Sequence, residues 1–356
     1  MTPLGESAAG AATATPRLVL LLTSPRVAPG LLSRDAWRAL ECAARICALE
    51  GEPQALAIEA ADLPLDWRGP EPPGELARAL VDLALAPPIA DAVAEPDPAG
   101  TCVVWVGSAD GDPGLSDAVA AEVTRRAEPP DVEVLVGSSD VPGSRLLDVV
   151  AVMDRLRSPG GCPWDAEQTP QSLLPYLLEE AHEAIEAIES ADPVHVTEEL
   201  GDLLLQVVFH ARINEEHPDR PFGIDDVAGG LVEKLVRRHP HVFGDVPAFT
   251  PADVAANWEL IKADEKAHRT SPLDGVPASL PALARADKLV RRLERAGLGA
   301  LLDDVDSDPG TSPVGRELLA LVRSAQSSGV DPEGALRGVL RRLAELSSSE
   351  GDGSPR

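Results

Sequence analysis

Four acids in two short pairs stand out in this 356-residue chain: Glu180 and Glu183 in LLEEAHEAIEAIE, then Glu199 and Asp202 in EELGDLLLQVVFHA. A spacing of three puts the two members of each pair on one helical face, about one turn apart. Two such helices packed antiparallel aim four carboxylates at one point. Oxygen donors in that number make a site for a hard cation, with Mg²⁺ the usual occupant and Mn²⁺ a close second.

The elements that must hold these acids follow from the apolar spacing around them. Between 169 and 190, Leu174, Leu177, Leu178, Ala181, Ile185 and Ile188 recur at helical intervals. Thr169 or Ser172 is available as N-cap, and prolines occur only in the opening turn, where a missing N–H is harmless. The helix is expected to stop at Asp192-Pro193, because proline disfavours α geometry in the residue before it. A second helix, from about Val196 to Glu215, places Leu200, Leu203, Leu204, Val207, Val208 and Ala211 on a core-facing stripe, with Glu199 and Asp202 at its border.

The plain alternative is a solvated acidic face, since the chain holds 59 acids against 31 bases. Against it, Glu179, Glu180, Glu183, Glu186, Glu189, Glu198, Glu199 and Asp202 have almost no bases among them. Clustered like charges cost stability unless a cation compensates them. Metal ligation is therefore the favoured reading.

Further motifs surround the two helices: MDRLRSPGGCPWDAEQTPQSLLPYLLEEAHEAIEAI, EELGDLLLQVVFHARINEE, VEKLVRRHPHVFGD and NWELIKADEK. In this order they resemble the MazG family of nucleoside triphosphate pyrophosphohydrolases. The family's EExxE and ExxD signature reads here as Glu179, Glu180 and Glu183, then Glu199 and Asp202. The resemblance implies Mg²⁺-dependent cleavage of a nucleoside triphosphate between its α and β phosphates, giving a monophosphate and pyrophosphate. Glu180, Glu183, Glu199 and Asp202 are then the expected metal ligands. Glu179 points about 100° away from Glu180 around the helix axis, which fits a supporting or base role better than ligation.

Acids alone repel a polyphosphate, so cations are needed as well. Lys234 and Arg238, four apart, resemble the family's phosphate-binding Lys and Arg. Lys262 would be a third cation, and Trp258, one turn earlier, could stack on a base. Without the resemblance, the same residues read as surface salt bridges and a core anchor. Trp164 reads as a packing plug, Asp165 as a hydrogen-bonding turn residue and Cys162 as a buried thiol. His239 and His241 lack cysteine partners for zinc and read as structural or as lining the site. Glu179 and His182 form an ExxH of the di-iron kind, but the second helix offers ExxD, and oxygen ligands favour Mg²⁺ or Mn²⁺.

The rest of the chain sets the frame. The expected organisation is a disordered tail at 1–16, a degenerate α/β domain at 17–145, the MazG domain at 146–268, a degenerate second helical repeat at 269–346 and a low-complexity tail at 347–356. RLVLLLTSP, TCVVWVGS and VEVLVGSS read as strands of a parallel or mixed sheet, and LLSRDAWRALECAARICALE as a helix capped by Ser33. Pieces of this α/β part resemble tetrapyrrole methylases, yet TSPRVAPG follows the first strand where those enzymes carry a glycine-rich cofactor loop. A non-catalytic shielding or scaffold role is the expectation.

In the C-terminal part, PVGRELLALVRSAQSSG aligns with ELGDLLLQVVFHARINE, so Pro313 and Arg316 replace Glu199 and Asp202. That copy holds no cation. A net charge of −28 argues against a nucleic-acid surface. No run is long enough for a transmembrane helix, and Cys42, Cys47, Cys102 and Cys162 lack metal-like spacing, so reduced, buried thiols in the cytoplasm are expected. A homodimer is expected, because two helix pairs alone enclose no core. The alternative is a non-catalytic regulator that binds metal and nucleotide without turnover.

Overall fold

A computed structural model describes residues 15–87, 102–108, 112–247, 250–265 and 271–351. It divides into two compact units, 1–229 and 230–356. The first begins with an α/β layer: β1 (Arg17–Thr23), α1 (Arg34–Glu41), β2 (Arg45–Leu49), α2 (Pro53–Ala60), β3 (Leu65–Arg68), α3 (Pro73–Leu85), β4 (Cys102–Ser108), α4 (Leu115–Arg125) and β5 (Asp131–Val136). The five strands are all parallel, in the order β3-β2-β4-β1-β5.

Central β1 and β4 read as continuous apolar runs because helices cover both their faces. Leu18, Leu20, Val103 and Trp105 pack against Leu76, Leu80 and Val119 of α3 and α4. Val19, Leu21, Val104 and Val106 pack on the other side against Leu40 and Ile58. The expected helix from Leu31 to Glu50 is in fact a helix and a strand. Ser33 does cap it, accepting a bond from the Ala36 N–H at 3.2 Å, but α1 ends at Glu41 and Arg45–Leu49 joins the sheet between β3 and β4. A short buried apolar run fits strand and helix equally by periodicity, and the sheet supplies the tertiary contacts that decide it.

Helices α5 (Arg145–Arg157), α6 (Pro163–Glu167), α7 (Leu174–Ser190) and α8 (Pro193–Asn214) complete the first unit, and α9 (Ile224–Arg238) crosses into the second. Met153, Leu173, Val208 and Phe209 form a core shared by α5, the approach to α7, and α8. Ionic contacts flank it: Arg212 Nε lies 2.8 Å from Asp154 Oδ1 and Arg157 Nη2 lies 2.9 Å from Glu216 Oε2. Arg26, nearly buried, reaches Asp148 at 2.7 Å and so ties α5 to the sheet layer.

The second unit continues with α10 (Pro240–Phe243), α11 (Pro251–Glu265), α12 (Ala282–Arg295), α13 (Ala300–Ser307), α14 (Pro313–Ser327) and α15 (Pro332–Gly351). Val290, Leu293 and Leu302 form a small core there, joined by Leu273 and Leu319. Helix α15 runs into the serine-rich stretch expected as a tail, while 352–356 lie outside the described residues, as do residues 1–14 of the expected N-terminal tail. The molecule thus has a parallel α/β region followed by mostly helical structure. No helix among the described residues is long and apolar enough to cross a membrane.

Of the four thiols, Cys47 and Cys102 are buried, but Cys42 is exposed and Cys162 half-buried. Cys42 ends α1 on its solvent side, and Cys162 lies in the surface turn before α6, so neither position has a layer above it. Burial pushes the Cys47 thiol up to about 11.

Candidate metal centre

Helices α7 and α8 form an antiparallel pair joined by a two-residue elbow. Ala191 closes α7 in the left-handed conformation, φ +58°. The Asp192 side chain then accepts a bond from the Val194 N–H at 3.0 Å, and Pro193 occupies the first helical position of α8. Proline is suited to that position, so the second helix starts about three residues earlier than the spacing alone predicts. At the other end, Thr169 and Ser172 do not cap α7 itself. They bond reciprocally, Thr169 N–H to Ser172 Oγ at 3.0 Å and Ser172 N–H to Thr169 Oγ1 at 3.2 Å, and shape the turn that delivers Leu173 into the core.

The face that α7 turns inward carries Leu173, Ala184 and Ala187, all buried. Small alanines let the two backbones approach closely. On the same face Glu180 comes together with Glu199 and Asp202, each offering one oxygen within 4.8 Å of the others. Glu199 is the deepest of the three. Its Oε1 lies 3.1 Å from His195 Nε2, and its Oε2 is buried with no hydrogen-bond partner. Burial pushes the Glu180 carboxyl up, and the charges of Asp202, Glu183, Glu199 and Glu179 add to the effect in that order.

An orphaned buried oxygen beside two further carboxylates is costly in a protein interior unless something positive meets it. Three oxygen donors with no imidazole or thiolate pointing in match the preferences of Mg²⁺ or Mn²⁺. The donor set therefore fits a hard divalent cation. Of the four expected ligands, Glu180, Glu199 and Asp202 converge and Glu183 does not; Glu183, like Glu179 of the expected base role, lies on an exposed part of α7 and acts on the cluster through its charge. His182 is exposed as well.

The expected substrate-side residues belong to the second unit. Lys262 Nζ stands 4.2 Å from the centre of the Trp258 ring, a cation–π contact. Arg238 is held by Glu265, Nη2 to Oε2 at 2.7 Å and Nε to Oε1 at 3.3 Å, and Arg237 Nε donates to the same Oε1 at 2.8 Å. The Arg238 and Arg237 guanidinium groups hold the Glu265 carboxyl down at about 2. Lys234, one turn before Arg238 on α9, is exposed. His239 lies between His241 and Trp258, with ring centres 5.6 and 6.3 Å away.

Two contacts were not anticipated. The His195–Glu199 contact has a signal in the sequence, a spacing of four on one helix, but histidine at that spacing from an acid is common. The grip of Glu265 on Arg238 spans 27 residues and has no local signal. Trp164 is half-exposed rather than a plug, because buried Phe209 takes the core position and Trp164 packs edge-on against it at 6.5 Å and against Tyr176 at 6.1 Å. Asp165 contributes its backbone carbonyl, which accepts from Arg157.

Residues 168–243 match the MazG nucleotide pyrophosphohydrolase domain. The chain is 53% identical over 233 residues to an uncharacterized 26.1 kDa protein in the blaB 3′ region of Streptomyces cacaoi, a match covering 65% of this chain and 93% of that one. It is 50% identical over 163 residues to the nucleoside triphosphate pyrophosphohydrolase of Mycolicibacterium smegmatis, covering 45% of this chain and 49% of the relative. With the nucleoside triphosphate pyrophosphohydrolase/pyrophosphatase MazG of Thermotoga maritima it shares 40% identity over 215 residues, covering 56% of this chain and 82% of that one. Identity at that level over most of a named relative, in the segment that gathers the three acids, leaves one conclusion: the chain belongs to the MazG family.

Proposed function

We propose that this protein hydrolyses nucleoside triphosphates between the α and β phosphates, with Mg²⁺ as its working cation, to give a monophosphate and pyrophosphate. The observation that carries the reading is the meeting of Glu180, Glu199 and Asp202, with one oxygen of the buried Glu199 carboxylate left without a hydrogen-bond partner. When bound there, a divalent ion neutralises phosphate charge and acidifies an attacking water. The chain's own contribution is to hold three oxygens in place on a close-packed helix pair. Glu183 extends the negative field toward solvent and is available as a fourth ligand, and Glu179 as a base. Lys234, Arg238 and Lys262 supply positive charge for the phosphates, and Trp258 a flat apolar face for the base.

Several features support the wider reading. Leu174, Leu178, Ile185 and Ile188 form an exposed apolar stripe on α7, away from its buried face. A second copy of the chain covering it would complete an all-α bundle, hence a homodimer. In the α/β part, residues near the carboxyl ends of β1 and β4, where ligands of such sheets usually sit, bond to the chain itself. Gln54 accepts from the Gly30 N–H at 2.9 Å and donates to the Val27 carbonyl at 3.1 Å, while Asp112 closes on Gly107 and takes bonds from Trp105 Nε1 and the Ser108 N–H. This fits a scaffold at 17–145 beside a working domain at 146–268, with 269–346 a degenerate repeat. Clearing unwanted nucleotides from the cytoplasmic pool is the role consistent with this chemistry.

The test is a screen of purified protein against NTPs and dNTPs with Mg²⁺, scoring the products. Monophosphate plus pyrophosphate is expected. Diphosphate plus free phosphate would overturn the assignment of attack at the α-phosphorus.

A further inference from the structure

Among the described residues, His195 stands within ion-pairing distance of a carboxylate of the acid cluster from outside it. It sits four residues before Glu199 on α8, so the two side chains lie on one face, one turn apart. Its Nε2 is 3.1 Å from Glu199 Oε1, within ion-pairing distance, while Oε2 on the same carboxylate is buried and has no hydrogen-bond partner. The Glu199 side chain is nine-tenths buried, whereas His195 is 40% exposed. The imidazole therefore approaches Glu199 from the solvent edge of the helix and stands against one of its two oxygens.

Three carboxylates with oxygens within 4.8 Å repel one another, and a free carboxylate relieves that repulsion by turning about its terminal bond. An imidazole held against Oε1 restricts this turning. A donor behind a ligating carboxylate also lowers the ordering cost of binding a cation. Groups in such a position typically change metal affinity 10–100-fold when removed. We infer that His195 is a positioning residue for the divalent-cation site, limiting the turning of the Glu199 carboxylate beside Glu180 and Asp202.

The inference rests on the cation reading of the cluster, and calorimetric titration of the nucleotide-free protein with Mn²⁺ separates the two. Wild type, Glu199→Gln, His195→Ala, His195→Phe and His195→Gln are compared after circular dichroism has shown equal helix content. His195→Ala and His195→Phe are expected to bind Mn²⁺ about 10–100-fold more weakly than wild type. His195→Gln, whose amide N–H can reach the same oxygen, is expected to recover most of the loss. Phe keeps the ring but not the donor, so a purely packing role predicts near-normal binding by Phe and overturns the inference. Normal binding by His195→Ala overturns it too, while weak binding by Glu199→Gln in the same series leaves the cation reading standing. If wild type fails to bind Mn²⁺, the cation reading itself falls and the role of His195 with it.

Discussion

Helices α8 and α14 share several apolar positions and differ where α8 carries its acids, while buried Phe209 aligns with Arg323. Aligned from Glu199 and Pro313, Val208 and Val322 are both buried, while Leu200 and Val314, and then Val207 and Leu321, are both exposed. At the two acid positions α14 has Pro313 and Arg316. Pro313 opens that helix behind the Ser312 cap, and Arg316 Nη1 donates to the Asp306 carbonyl at 2.8 Å. Where α8 places charge that repels its neighbours, α14 places residues that start and brace a helix. The positions that build such a helix and the positions that give it chemistry are thus separable within one 15-residue frame.

The largest expected effect comes from exchanging charge for its neutral isostere. Glu199→Gln and Asp202→Asn should lower the rate of pyrophosphate release at least about 100-fold with helix content unchanged. Arg316→Ala, at the matching place in α14, should leave the rate at the wild-type level. A loss of activity in the latter would mean that α14 shares in the chemistry.

A smaller effect tests the shared apolar plan. Val208→Ala and Val322→Ala each remove buried methyl groups and should each cost about 1–3 kcal/mol, read as a lower urea midpoint. Equal costs would confirm that the two helices use the position alike, whereas a neutral Val322→Ala would show that only α8 depends on it.

The smallest effect comes from Glu180. Its carboxyl is raised by burial and by neighbouring acids, so its contribution favours the folded state below the ordinary carboxyl range and is lost as pH rises through the folded value. At pH 7 the ionised group destabilises the cation-free protein. Glu180→Gln should therefore raise the melting temperature of that form by roughly a degree or two and blunt the further rise that Mg²⁺ produces in wild type. A lower melting temperature would contradict the repulsion seen in the cluster.

Much of this was legible in the sequence because helical spacing and acid placement are local signals. Glu180, Glu199 and Asp202 could be assigned to facing helices from their intervals alone, and β1, β4 and β5 from their apolar runs. Strands β2 and β3 were missed because RICAL and LDWR are too short to declare a period. The start of α8 at Pro193 is hidden from the spacing because proline, a stop for the preceding helix, is a start at the first helical position. Leu174, Leu178 and Ile188 belong to the predicted apolar stripe of α7 yet are exposed, since periodicity marks an apolar face without saying whether the same chain covers it. The Arg238–Glu265 contact depends on the approach of two helices, which no spacing encodes.

The Ala191–Asp192 elbow makes the distance between opposing carboxylates a matter of chain length. Glu180 lies eleven residues before Ala191 and Asp202 eleven after it, so each reaches the same level along its rod by counting outward from one fixed hinge pin. One residue inserted at the pin would slide one rod by about 1.5 Å and rotate its acids by about 100°. Tuning cation affinity in such a device therefore needs no change of ligand. The calliper can be reset at its joint.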